Sequence, residues 1–187
     1  MIGPEEEIWP AFITRGWDEA EVIYGASLGR TIASSVFGRR YRYSPMSSLY
    51  FYGRPQDVGL QKARQTVDER NHLRLWLSPM RYQGMPVYVG QISRDIGVRF
   101  TSKTITTHKI DPDVDETREY LLENLVYAQA LEKFGYVGGV GEVSFDNPKG
   151  NLTGDPWFSD GHRLVLWVTS EPVAVDDLEF VEWRRPY

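Results

Sequence analysis

Cysteine is absent from all 187 residues, which excludes disulfide staples, thiolate nucleophiles and Cys-ligated zinc or iron–sulfur sites in one step. Histidine is scarce: the three copies, His72, His108 and His162, form neither HxH nor HExxH, the spacings that bring two imidazoles onto one metal. No metal ligand set is therefore assigned. No apolar run approaches the roughly 20 residues that a spanning helix needs, and Glu5, Glu6 and Glu7 stand where a secretory leader would be basic. A soluble chain is expected. Internal repeats and low-complexity tracts are also missing.

What is present describes one packed domain. A chain of this length buries about two-thirds of its unfolded surface, and 41% hydrophobic with 13% aromatic residues supplies the core. The net charge of -5 hides an asymmetry. From Arg30 to Lys109 there are fourteen Lys/Arg against four Asp/Glu, whereas the flanks hold seven against twenty-two. Either the segments neutralise one another in the fold, or part of the basic middle stays open for an anionic partner.

Periodicity divides the chain into elements. Residues 1–16 are taken as an N-terminal extension and 17–187 as the domain. Asp18 followed by Glu21, with Trp17 and Val22 as a hydrophobic staple, predicts a helix over Trp17 to Val36. Strands are predicted at Ser48 to Gly53, His72 to Leu77, Pro86 to Ser93, Val98 to Thr101 and Thr104 to Ile110, with short connections that favour antiparallel pairing. Asp113 and Glu116 form a second capping pair, and Leu121, Leu122, Leu125, Ala128 and Leu131 an apolar face, predicting a helix that ends at Gly135. Further strands are expected at Val140 to Phe145, Arg163 to Thr169 and Leu178 to Trp183. The Gly/Asn/Pro/Asp-rich connection from Asp146 to Gly161 is long enough to suggest a working loop. The fold class expected is α+β, a mostly antiparallel sheet with two main helices packed on one face.

Several motifs resemble chemistry and lack its context. GASLG, Gly25 to Gly29, has the spacing of a nucleophile elbow but falls inside the predicted helix, not between a strand and a helix. Asp111, Asp113 and Asp115 occupy positions one, three and five of a calcium loop, yet position six is Glu116 and position twelve Leu122; the acids suit a helix N-terminus instead. GYVGGVGE, Gly135 to Glu142, follows a helix where phosphate-binding glycines precede one, and is taken as a C-cap and turn. The sequon at Asn151 to Thr153 is weak. Alternation in HLRLWL places His72 and Arg74 on one strand face and Leu73, Leu75 and Leu77 on the other.

The strings YSPMSSLYFYGRPQDVGLQK (Tyr43 to Lys62), HLRLW (His72 to Trp76), PVYVGQISRDIGV (Pro86 to Val98), THKIDPDVDETRE (Thr107 to Glu119) and NLTGDPWFSDG (Asn151 to Gly161) together resemble, in order, the LssY C-terminal domain family. The resemblance implies an accessory domain that often accompanies DedA-type or phosphatidic-acid-phosphatase-type membrane modules, and hence a working place at a bacterial membrane or a membrane-embedded partner. No stretch of these 187 residues matches either module, so none of their acidic or catalytic residues carries over. Lys109 stands where family members tend to have a second histidine after His108.

The expected function is a recognition module that takes an anionic ligand, phosphorylated or polymeric, through basic strands, with Arg54, Arg74, Arg94, His72 and Asp95 as ligand-binding residues. The alternative is a hydrolase, with or without a metal, in which His72 or His108 is the base and Asp111, Asp95 or Asp160 orients it. Nucleic-acid binding is a third class that pI 5.3 and the absence of any recognised motif disfavour. No cofactor is identified.

Overall fold

A computed structural model describes residues 1–20, 46, 48–63, 70–99, 107–139, 141–151 and 153–183. Its main body is a five-stranded sheet in the order β1–β4–β5–β6–β7, antiparallel throughout: β1 (Asp18–Glu19), β4 (Val58–Ala63), β5 (Arg70–Tyr82), β6 (Met85–Arg99) and β7 (Thr107–Ile110). A second sheet places β8 (Leu131–Val137) between β11 (Arg163–Val168), antiparallel to it, and β12 (Glu179–Val181), parallel to it. Two short ribbons, β2–β3 (Tyr50–Phe51, Arg54–Pro55) and β9–β10 (Lys149–Gly150, Pro156–Trp157), complete the strands. Among the described residues the α-helices are α1 (Glu5–Thr14) and α2 (Val114–Tyr127). The architecture is α+β and mostly antiparallel.

Both helices pack on one face of the larger sheet. Ile8, Trp9, Ala11 and Phe12 of α1 and Leu121 and Leu125 of α2 join Val58, Leu60, Leu73, Leu75 and Tyr88 in one apolar cluster, which Leu131, Leu166 and Val168 extend into the smaller sheet. Residues 1–16, expected to precede the domain, are thus built into its core. Ile2 pairs with both Val87 of β6 and Trp167 of β11 and so ties the two sheets together. The β5–β6 hairpin closes through Gln83 and Gly84, both at positive φ (49° and 84°), the two-residue turn whose twist matches the strands.

Three local expectations give way to tertiary context. The start of the Trp17 helix is a strand: Asp18 and Glu19 pair with Gln61 and Leu60, and Trp17 is buried edge-on against Phe12, at 5.6 Å between ring centroids. The rest of that prediction, with GASLG, lies outside the described residues. The second helix keeps its cap, since the Asp113 carboxylate accepts from the backbone N–H groups of Asp115 and Glu116, but ends at Tyr127. Gln129 then takes φ 57°, and Leu131 to Val137 become the central strand of the smaller sheet. Gly135 is consequently not a helix cap. It makes room for β12, because a Cβ there would lie 2.6 Å from the Val181 carbonyl oxygen. In place of the strand at Val140 to Phe145, only Val143 pairs, with Ser159, among the described residues.

Candidate functional site

Alternation along β5 puts Arg70, His72, Arg74 and Trp76 on the face opposite the helices. Cross-strand neighbours complete a polar layer there: Gln61 stands beside His72 from β4, and Ser93 and Gln91 stand beside His72 and Arg74 from β6. The layer is buried, with Arg70, His72, Arg74, Ser93 and Asp95 each between 5% and 9% exposed. Half-buried Gln91 marks its more open side, next to Arg74.

The best-defined contact in the layer joins His72 Nε2 to Asp95 Oδ2 at 2.7 Å. The Asp95 carboxylate only accepts, so Nε2 of His72 is the donor in this contact. Gln61 accepts from Arg70 at 3.2 Å and Gln91 accepts from Arg74 at 3.0 Å. These amides orient the two guanidiniums without contributing charge. Burial pushes the Arg74 guanidinium below its ordinary value, while the negative charge of Asp95 works in the opposite direction. Charged side chains this deep cost stability relative to apolar ones, which makes the layer a candidate for function.

The remaining candidates are not brought together. Arg94 points to the helix side, where its Nη1 donates to Glu116 at 2.7 Å and to Asp111 at 3.3 Å. Glu116 therefore answers Arg94, not the backbone of its own cap. Asp111 also receives the Asp113 N–H. Arg54 braces the end of β5 by donating to Asp57 and to the Leu77 carbonyl. Arg94 thus lies on the face opposite Arg74, and the expected joint surface of Arg54, Arg74 and Arg94 is not formed. His108 pairs with Val98 through the backbone of β7. Asp111 lies on the other side of the sheet from His72. Missed by the sequence reading were Arg70, Gln61, Gln91 and Ser93. Arg70 was within reach by extending the alternation two residues back from His72, whereas Gln61 required recognising β4.

A second charged cluster fastens the long loop to α2. Arg118 donates to both carboxylate oxygens of Asp160 (2.8 and 2.9 Å), to Asp115, to Glu119 and to the His162 carbonyl, and its guanidinium lies 5.1 Å above the Tyr136 ring. Its hydrogen bond from Arg118 holds the Asp160 carboxyl down at about 2. Burial and then Glu119 push the Tyr136 hydroxyl well above its usual value. These bonds tie the Asp160 end of the loop to α2, and the β9–β10 ribbon pairs Lys149 and Gly150 with Trp157 and Pro156 within it.

Among the described residues no three His, Asp or Glu side chains come together as metal ligands, and no helix is long and apolar enough to cross a membrane. No curated protein and no solved structure matches the chain. The family model described as the LssY C-terminus matches residues 1–162, a span that holds both helices, the whole five-stranded sheet and the polar layer and stops immediately before β11. By that match over most of its length, the chain belongs to the LssY C-terminus family.

Proposed function

We propose that the domain is a recognition module for a small anionic group, a phosphate or phosphoester, taken up at Arg74 and His72 in the polar layer. The observation that carries this reading is the row Arg70–His72–Arg74 on one strand face, with its guanidiniums oriented by amides and its imidazole held by Asp95. Forked guanidinium donors match phosphate oxygens in pairs, and in a water-poor layer each charge-assisted bond is stronger than at a surface. The half-buried Gln91 beside Arg74 supports an approach from that side.

Calorimetric titration with inorganic phosphate tests this. Binding that weakens from 50 to about 200 mM salt, and by at least about tenfold in Arg74→Met with the fold retained, is the expected result. Absent binding, or binding indifferent to Arg74, overturns it. Vesicles with and without anionic lipid then separate a free anion from a lipid headgroup.

The 2.7 Å His72–Asp95 bond supports a second reading, hydrolysis. A carboxylate-held imidazole is the arrangement of a general base, and Arg74 beside it would stabilise an oxyanion or a phosphoryl group. Turnover of a phosphoester or carboxylester panel that disappears in His72→Ala would establish it. No His72-dependent turnover removes it.

A further inference from the structure

We infer that Arg94 is a positioning residue for the His72–Asp95 pair: its grip on α2 and Asp111 decides which β6 side chain faces His72. The inference rests on the polar layer being the working site, but it concerns the pair's geometry and is tested without ligand.

The reason lies in a β-bulge. Asp95 pairs with Ile110 and Gly97 with Lys109, so β6 spends two steps where β7 spends one, and Ile96 is the extra residue, turned to solvent. A bulge is where a strand changes register most cheaply, and a slip of one residue exchanges its two faces. Slipped in either direction, β6 would present Arg94 or Ile96 to His72 in place of Asp95. Alternation from Tyr88 and Ile92 favours Arg94 on the helix side, but at the bulge itself burial does not choose, because Arg94 and Asp95 are both polar and equally buried, at 5%.

Arg94 makes the choice from the other side. Its backbone carbonyl accepts from Asp111 N–H at 2.8 Å, its Nη1 reaches both Asp111 and Glu116, and its Nε lies 3.5 Å from the side-chain oxygen of Asn71 on β5. Asp111 in turn holds the Asp113 N–H, and Asp113 caps α2. One guanidinium thus connects β5, the β6 bulge, the end of β7 and the first turn of α2. A lysine could hold one carboxylate there as a point charge, but could not address Asp111, Glu116 and Asn71 together. With Arg94 held on the helix side, Asp95 must emerge on the opposite side, where Gln61, Arg70, Arg74 and Ser93 surround His72.

The test is the imidazole of ligand-free, 15N-labelled protein. In the wild type the His72 Nε2–H bound to Asp95 gives a resonance protected from solvent exchange, and Asp95→Ala serves as the control that loses it. Arg94→Met and Arg94→Lys are both expected to lose that resonance or to exchange it about tenfold faster, with Glu116→Gln showing a smaller change in the same direction. Arg94→Lys keeps the charge and is the variant to use if Arg94→Met does not fold. A lowered thermal midpoint with an unaltered His72 Nε2–H signal and exchange rate would overturn the proposal, since a merely structural role moves the first and not the second. A His72 signal that responds to Arg94 in a protein that binds no phosphate supports the positioning role and overturns the binding reading alone.

Discussion

On the helix side of β5, Leu73 and Leu75 are 1% exposed and share a core with Leu121 and Leu125 of α2; on the other side, Arg70, His72 and Arg74 are almost as buried and entirely polar. Comparable burial therefore has opposite meanings one residue apart along the strand. The leucines gain roughly 25 cal/mol for each Å² of apolar surface removed from water and need only complementary shape. The arginines and His72 gain nothing comparable: each must be met by an amide or a carboxylate, and an apolar layer would cost less. One face of the strand is explained by stability; under the proposed function, the other is explained by what it would hold.

Substitutions on the two faces should separate these roles. Leu73→Ala is expected to remove about 4 kcal/mol of stability in denaturant unfolding, through lost transfer energy and a cavity, while any phosphate binding that survives keeps its affinity. Asp95→Ala should cost about 3 kcal/mol, because His72 loses its 2.7 Å partner in a buried setting. Pairing it with His72→Phe should recover at least half of that loss and still abolish binding, the outcome a purely structural layer would not produce. Asp113→Ala, at the roof over the apolar face, should cost about 1 kcal/mol by leaving the N–H groups of Asp115 and Glu116 without their cap, measurable as a lower thermal midpoint.

The smallest effect lies away from both faces. The Asp160 carboxyl, held at about 2 by Arg118 against an ordinary 3.8, stabilises the fold at pH values above the ordinary figure, and this contribution is lost as pH falls through its folded value. Because the side chain is 48% exposed, solvent screens the interaction and the gain is slight. The stability difference between wild type and Asp160→Asn should therefore be constant above about pH 4 and close between pH 4 and about 2 in acid titrations followed by circular dichroism.

The site was partly legible because strand alternation is a local property. HLRLWL separates His72 and Arg74 from the leucines without reference to anything else in the chain, and the cap at Asp113 depends only on backbone groups two and three residues away. Arg94 shows the limit. Its composition and basic neighbourhood suited an exposed ligand contact, but its direction is set by Glu116 and Asp111, seventeen and more residues away. The strand at Leu131 to Val137 was hidden for a related reason: Leu131 continues the apolar spacing of α2, so only the pairing with β11 and β12 distinguishes strand from helix.

By itself the sequence determined the class of fold, the cysteine-free core, the face on which His72 and Arg74 stand and the cap of α2, all of which follow from composition or from residues within about one turn or one strand step. Tertiary structure alone decided that residues 1–16 complete the core, that Gly135 makes room for β12, and that Asp95 and not Arg94 meets His72. Those outcomes depend on register and close approach between segments distant in the chain, where the energy lies in contacts that no local pattern encodes.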